Sequence, residues 1–155
     1  TGWPVYKLPG RNVVAFEIGR NDMASQTETQ HYNNVVAYLN TSTTGVLQRG
    51  WDVRLVVNIA TGASLQTKIT AFRSLIRAAS FATATGTGPG GAFEGKLSLI
   101  NTDQVTQGGQ TIFLDSADAA DPTYYQGDST HPTPLGAIQR VSGGDDPLRG
   151  IGSGL

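Results

Sequence analysis

The alternation of apolar and polar positions along the chain predicts strands and helices in turn. Val13-Val14-Ala15-Phe16-Glu17-Ile18 is a short, mostly apolar run closed by Gly19, which reads as a buried strand. Residues 27–40 place Tyr32, Val35, Val36 and Leu39 at i, i+3, i+4 and i+7, one apolar stripe of a helix. Thr43 to Gly50 reads as a turn region or a frayed helix end. Val53 to Ile59 is β-branched and bounded by Gly50 and by Thr61-Gly62, and so is the second strand. Residues 65–82 give the clearest helix: Leu65, Ile69, Phe72, Ile76 and Ala79 form its buried stripe, while Lys68, Arg73 and Arg77 mostly lie off it. Gly86 to Gly91 is a flexible loop, Lys96 to Asn101 the third strand, and Gly108 to Leu114 a short irregular strand or turn. Asp115 to Pro132 is polar loop. Thr133-Pro134 has the form of an N-cap followed by proline at the first helical position, opening a helix over Leu135 to Val141. The tail from Gly143 is Gly-rich, and residues 1–11 are punctuated by Pro4, Pro9 and Gly10.

Strands that alternate with helices imply an α/β fold with a parallel sheet and right-handed crossovers. In such sheets ligands and chemistry collect on the loops past the carboxyl ends of the strands. Those loops are residues 19–25, 60–65 and 101–107, together with whatever the last loop delivers. At 155 residues there is room for one domain, and 38% hydrophobic residues suffice for a modest core. The net charge of −1 leaves no electrostatic footprint for nucleic acid. No apolar run reaches the ~20 residues of a membrane helix. The absence of cysteine excludes disulfides, thiolate metal sites and Cys nucleophiles.

Two loop motifs carry the chemistry. Past the first strand stands Gly19-Arg20-Asn21-Asp22, and in the last loop Asp128-Ser129-Thr130-His131-Pro132. An Asp three residues before a His can curl back within a turn, accept the imidazole N–H and leave the other ring nitrogen as a general base. Asn21 directly after a buried strand can aim an amide N–H at a developing oxyanion. Gly19 permits a tight exit from the strand, and Asp22 can hold the loop by accepting backbone N–H groups. Taken one at a time, each motif also reads as an ordinary turn.

Together and in this order, the two motifs resemble the third and fifth blocks of the SGNH (GDSL-type) hydrolases. The neighbouring strands and helices are similar over most of residues 12–141. The resemblance implies a three-layer sandwich about a parallel sheet, flavodoxin-like, and hydrolysis of esters through an acyl-enzyme on a Ser. By it, Asn21 is an oxyanion-hole donor, His131 the general base and Asp128 its orienting acid, with Gly19 and Asp22 in support and no cofactor or metal. The polar surface, rich in Thr, Gly and Asn, resembles extracellular or virion-associated carbohydrate-active proteins more than lipases, which points to O-acetylated carbohydrate as substrate. The alternative is a non-catalytic SGNH-like module, binding glycan or serving as a structural part of a larger assembly.

The departure from the family lies in the nucleophile. Only 18 residues precede Gly19, and none is Ser. Gly127-Asp128-Ser129 spells the family's Gly-Asp-Ser, but no apolar strand precedes it, and Ser129 lies inside the Asp-x-x-His spacing. Ser25, Ser64 and Ser98 lack supporting context, so the nucleophile is not identified in this chain. The chain, which begins at Thr1 without an initiator Met, therefore reads as a partial domain, residues 1–155, with its first strands absent. The strand at 13–18 is then expected to be central in the complete fold, with one edge that this chain leaves open. Its partner is expected to be the amino-terminal part of the same fold, cleaved or on a separate chain. His31 is expected to face solvent. Trp3 and Trp51 are expected to pack, as is Tyr124-Tyr125 unless it borders the substrate cleft. The GTGPGG loop lacks the Lys-Ser/Thr ending of a phosphate loop.

Overall fold

The structure, a computed structural model, describes residues 10, 12–18, 20–57, 63–100, 105–112, 121–128 and 131–145. It is a mixed α/β arrangement. Three strands, β1 (Val13–Ile18), β2 (Asp52–Val57) and β3 (Leu97–Ile100), form a parallel sheet in the order β1-β2-β3. Register is set by Val13 opposite Asp52 and by Val53 opposite Leu97. A second, two-stranded sheet is the hairpin of β4 (Val105–Gln107) and β5 (Gln110–Ile112). The Gly108-Gly109 turn between them has positive φ at both positions, the backbone a two-residue hairpin needs.

Between β1 and β2 lie α1 (Arg20–Ser25) and α2 (Glu28–Asn40); between β2 and β3 lie α3 (Ala63–Arg77) and α4 (Ala79–Thr85). All four helices meet at one core. Val53 and Leu55 of β2 are buried there with Met23, Val35, Leu39, Ile69, Phe72, Ile76 and Phe81. Val14, Phe16 and Ile18 of β1 and Leu97 and Leu99 of β3 pack against the same cluster. Alternation along a strand turns Glu17, Arg54 and Ser98 to the opposite face. There Arg54 donates to the Ser98 hydroxyl, and Glu17 pairs with Arg140 of α5 (Pro134–Ser142).

Four local expectations are revised by tertiary contacts. The helix read over 65–82 is two helices. Ala78 takes an extended conformation (φ −72°, ψ 146°), and the bend turns Phe81 inward, 5.7 Å from the Tyr32 ring. The stretch 43–50 does more than turn, because Val46 and Leu47 are fully buried plugs of the core. Arg73 of α3, placed off the buried stripe, is itself buried. GTGPGG, expected to be a flexible loop, is a run of tight turns in which Gly86 caps α4 in the left-handed region.

β1 is an edge strand of this sheet. Among the described residues it pairs with β2 alone and forms the margin of the sheet. The bond from Asp52 N–H to the Asn12 carbonyl (2.8 Å) fixes the parity of the strand. Residues 12, 14, 16 and 18 turn their backbone groups to β2, whereas Val13, Ala15 and Glu17 turn theirs outward.

Candidate functional site

The Asp128–His131 pair sits at the tip of a clamped loop. Its first arm starts at Asp121. The Asp121 carboxylate accepts the Thr123 N–H (2.8 Å), which holds that carboxyl below the usual range, and the Asp121 carbonyl accepts from Tyr124 and Tyr125. Tyr125 is buried, and the Tyr124 hydroxyl donates to Gln107 of β4 (3.1 Å), so both tyrosines anchor the loop. The returning arm forms an antiparallel bridge between Tyr125 and Pro132, with Gln126 N–H donating to the His131 carbonyl (2.8 Å). Thr133 then caps α5, its hydroxyl accepting from Gly136 N–H (3.1 Å), and Pro134 opens the helix.

At the tip, one carboxylate holds His131 twice. Asp128 Oδ1 accepts the His131 backbone N–H at 3.0 Å, and Oδ2 lies 2.6 Å from the ring Nδ1. An ionised carboxylate only accepts, so Nδ1 carries the proton and Nε2 presents its lone pair. The side chains are 70% and 49% exposed, so Nε2 is open to a substrate.

Asn21 and Asp22 lie in the first turn of α1, both exposed; Gly19 lies outside the described residues. The Asp22 carboxylate makes no hydrogen bond among the described residues. The Asp22 backbone carbonyl accepts from Gln26 N–H (3.0 Å) and the Ser25 hydroxyl (3.3 Å). The other end of α1 is clamped by Lys68 of α3, whose ammonium donates to the carbonyls of Met23 (3.0 Å) and Gln26 (3.1 Å). Sequence reasoning missed Lys68, because a polar residue off the apolar stripe carries no local sign of a partner 45 residues away.

The two motifs are joined indirectly. No hydrogen bond or ion pair runs from Asn21 or Asp22 to Asp128 or His131 among the described residues. Instead Glu17, four residues before Asn21, pairs with Arg140, on the helix that opens three residues after His131. Among the serines, Ser25 serves the turn of α1 and Ser98 accepts from Arg54. Ser129 and the Ser64 side chain are outside the description.

His31 reverses its expected place: it is buried at 5% exposure, its ring 4.6 Å from Phe72. It lies one turn before Val35 and two before Leu39, and that i, i+4, i+8 spacing was the available signal. Burial lowers its pKa from the ordinary 6.5, partly opposed by the Asp22 charge. Its Nε2 is buried with no hydrogen-bond partner among the described residues. His31 also lines a cavity of about 380 Å³ between α1, α2 and β1, with Phe16, Ile18, Asp22, Asn34 and Tyr38 among its walls.

Among the described residues no three His, Asp or Glu gather to hold a metal ion, and no helix is long and apolar enough to cross a membrane. Comparison with family models, with curated proteins and with solved structures gives no match.

Proposed function

We propose that this chain carries the acid–base part of a serine-type carboxylic ester hydrolase of SGNH type, with the nucleophilic Ser supplied by a separate amino-terminal segment. The observation that carries the reading is the double hold of Asp128 on His131, which leaves Nε2 as an exposed base of fixed tautomer. In the reaction, Nε2 takes the proton of the Ser hydroxyl as its oxygen attacks the ester carbonyl. The Asn21 amide donates to the oxyanion, and the imidazolium returns the proton to the departing alcohol. Water then attacks the acyl-enzyme with the same base, releasing the acid and regenerating Ser. The substrate class proposed is O-acetylated carbohydrate, and the fold in this reading is a three-layer sandwich completed by strands joining the outward-facing edge of β1.

A second reading, a non-catalytic module for glycan binding or particle structure, is favoured by one observation. Among the described residues neither Ser25 nor Ser98 hydrogen-bonds to His131; each bonds elsewhere.

A fluorophosphonate probe and an aryl acetate, applied to the full gene product that contains this chain, separate the two. The hydrolase reading expects one labelled serine and a loss of turnover of at least about 100-fold in His131→Ala, within the usual range for a general base. Labelling and turnover untouched by His131→Ala would overturn it, and absence of both would support the non-catalytic module.

A further inference from the structure

The structure assigns to Thr133 and Gly136 a role as positioning residues for the Asp128–His131 pair. The inference rests on reading His131 as the base, but it concerns how the ring is aimed and is measurable without turnover.

Gln126, Gly127, Asp128 and His131 at the tip are exposed, and the pair is only three positions apart in the chain. Asp128 accepts the ring N–H only if the two arms meet in one register, because a slip of a single residue in an antiparallel pair turns every side chain to the other face. Backbone bonds across the arms restrict that register only through Pro132, which has no N–H to donate; the other residues offer the same groups. Thr133 does choose it. Its backbone N–H donates to the Tyr124 carbonyl (2.9 Å), and its hydroxyl donates to the Thr123 carbonyl (2.7 Å). The same hydroxyl accepts from Gly136 N–H, so one side chain ties the first arm, the second arm and the first turn of α5.

Gly136 supplies the room. It is buried in that first turn, and a Cβ there would collide with the Tyr124 carbonyl oxygen, the group that accepts from Thr133. Its φ is not in the left-handed region, so close approach, rather than backbone conformation, demands glycine. Any larger side chain pushes α5 off Tyr124 and opens the junction two residues after His131.

The test is the imidazole tautomer of His131, read by ¹⁵N NMR on the whole chain at a pH where the ring is neutral. Wild type is expected to show the Nδ1–H form. Asp128→Ala, which removes the acceptor, defines the spectrum of the released ring. Thr133→Val, equal in size but without the hydroxyl, and Gly136→Ala are each expected to move His131 to the Asp128→Ala spectrum, while Thr133→Ser keeps the wild-type one. Circular dichroism checks that each variant is folded, and either variant alone suffices if the other fails to fold. A folded Thr133→Val or Gly136→Ala with the wild-type tautomer would overturn the proposal, because a role confined to stability lowers the melting temperature without moving the ring proton. If wild type itself shows the Asp128→Ala spectrum, the pair is not formed and the proposal fails with it. Normal tautomers beside an inert full-length protein would instead overturn the reading of His131 as a base and leave the positioning role standing.

Discussion

Asp128 and His31 show how differently a single residue's surroundings act on a titrating group. Asp128 gives its two oxygens to one neighbour, so its removal releases both the backbone turn and the ring. Asp128→Asn keeps the shape but exchanges an obligate acceptor for an amide. On the proposed hydrolase reading it is expected to lower ester turnover in the full gene product by about 10- to 1,000-fold, most of the loss appearing in kcat. His31 acts on stability instead. Its folded pKa lies below the ordinary 6.5, so as pH falls the unfolded chain takes up the proton first. Stability is therefore retained above about 6.5 and lost as the pH drops below it, down to the folded-state value. Denaturant midpoints measured between pH 7.5 and 5 are expected to fall in wild type and to fall less steeply in His31→Gln. Equal slopes would mean that His31 is not the group responsible.

At the scale of elements, end groups matter more than intrinsic propensity. α2 opens with a capping box, Thr27 accepting from Gln30 N–H (3.1 Å) and Gln30 accepting from Thr27 N–H (2.9 Å). Thr27→Ala is expected to cost about 1 kcal/mol in chemical denaturation. α1 is only six residues long, too short to be stable alone, and Lys68 holds its last carbonyls. Lys68→Met keeps the aliphatic stem and removes two charge-assisted bonds. A loss of about 1–2 kcal/mol is expected, with faster amide exchange confined to α1. A uniform rise in exchange across the chain would show that α1 is not separately anchored. α5 stands apart, since Leu135, Ile138 and Val141 all face solvent although they are its large apolar residues.

For the molecule as a whole, four helices cover one face of the sheet, and among the described residues the outer edges of β1 and β3 have no strand partner. Leu39 is fully buried at the centre of the covered face, and Leu39→Ala is expected to destabilise by about 2–5 kcal/mol in urea unfolding. Amide exchange can read the open edge directly. Val14, Phe16 and Ile18 are expected to be protected by β2, while Val13, Ala15 and Glu17 exchange fast in this chain and slow in the full gene product. If they exchange equally fast in both, no strand joins there, and the supplied nucleophile loses its route into the site. Features with a short reach were legible in the sequence: the alternation of β1, α2, β2, α3 and β3, the Thr133-Pro134 cap and the curl of Asp128 onto His131, whereas 20–25, read as loop, is the helix α1. The legible features join groups within about four residues of one another, a spacing that the sequence itself displays. The bend at Ala78, the Lys68 clamp and the Glu17–Arg140 tie were decided by tertiary structure alone. They join residues tens of positions apart, and local periodicity carries no information about such contacts.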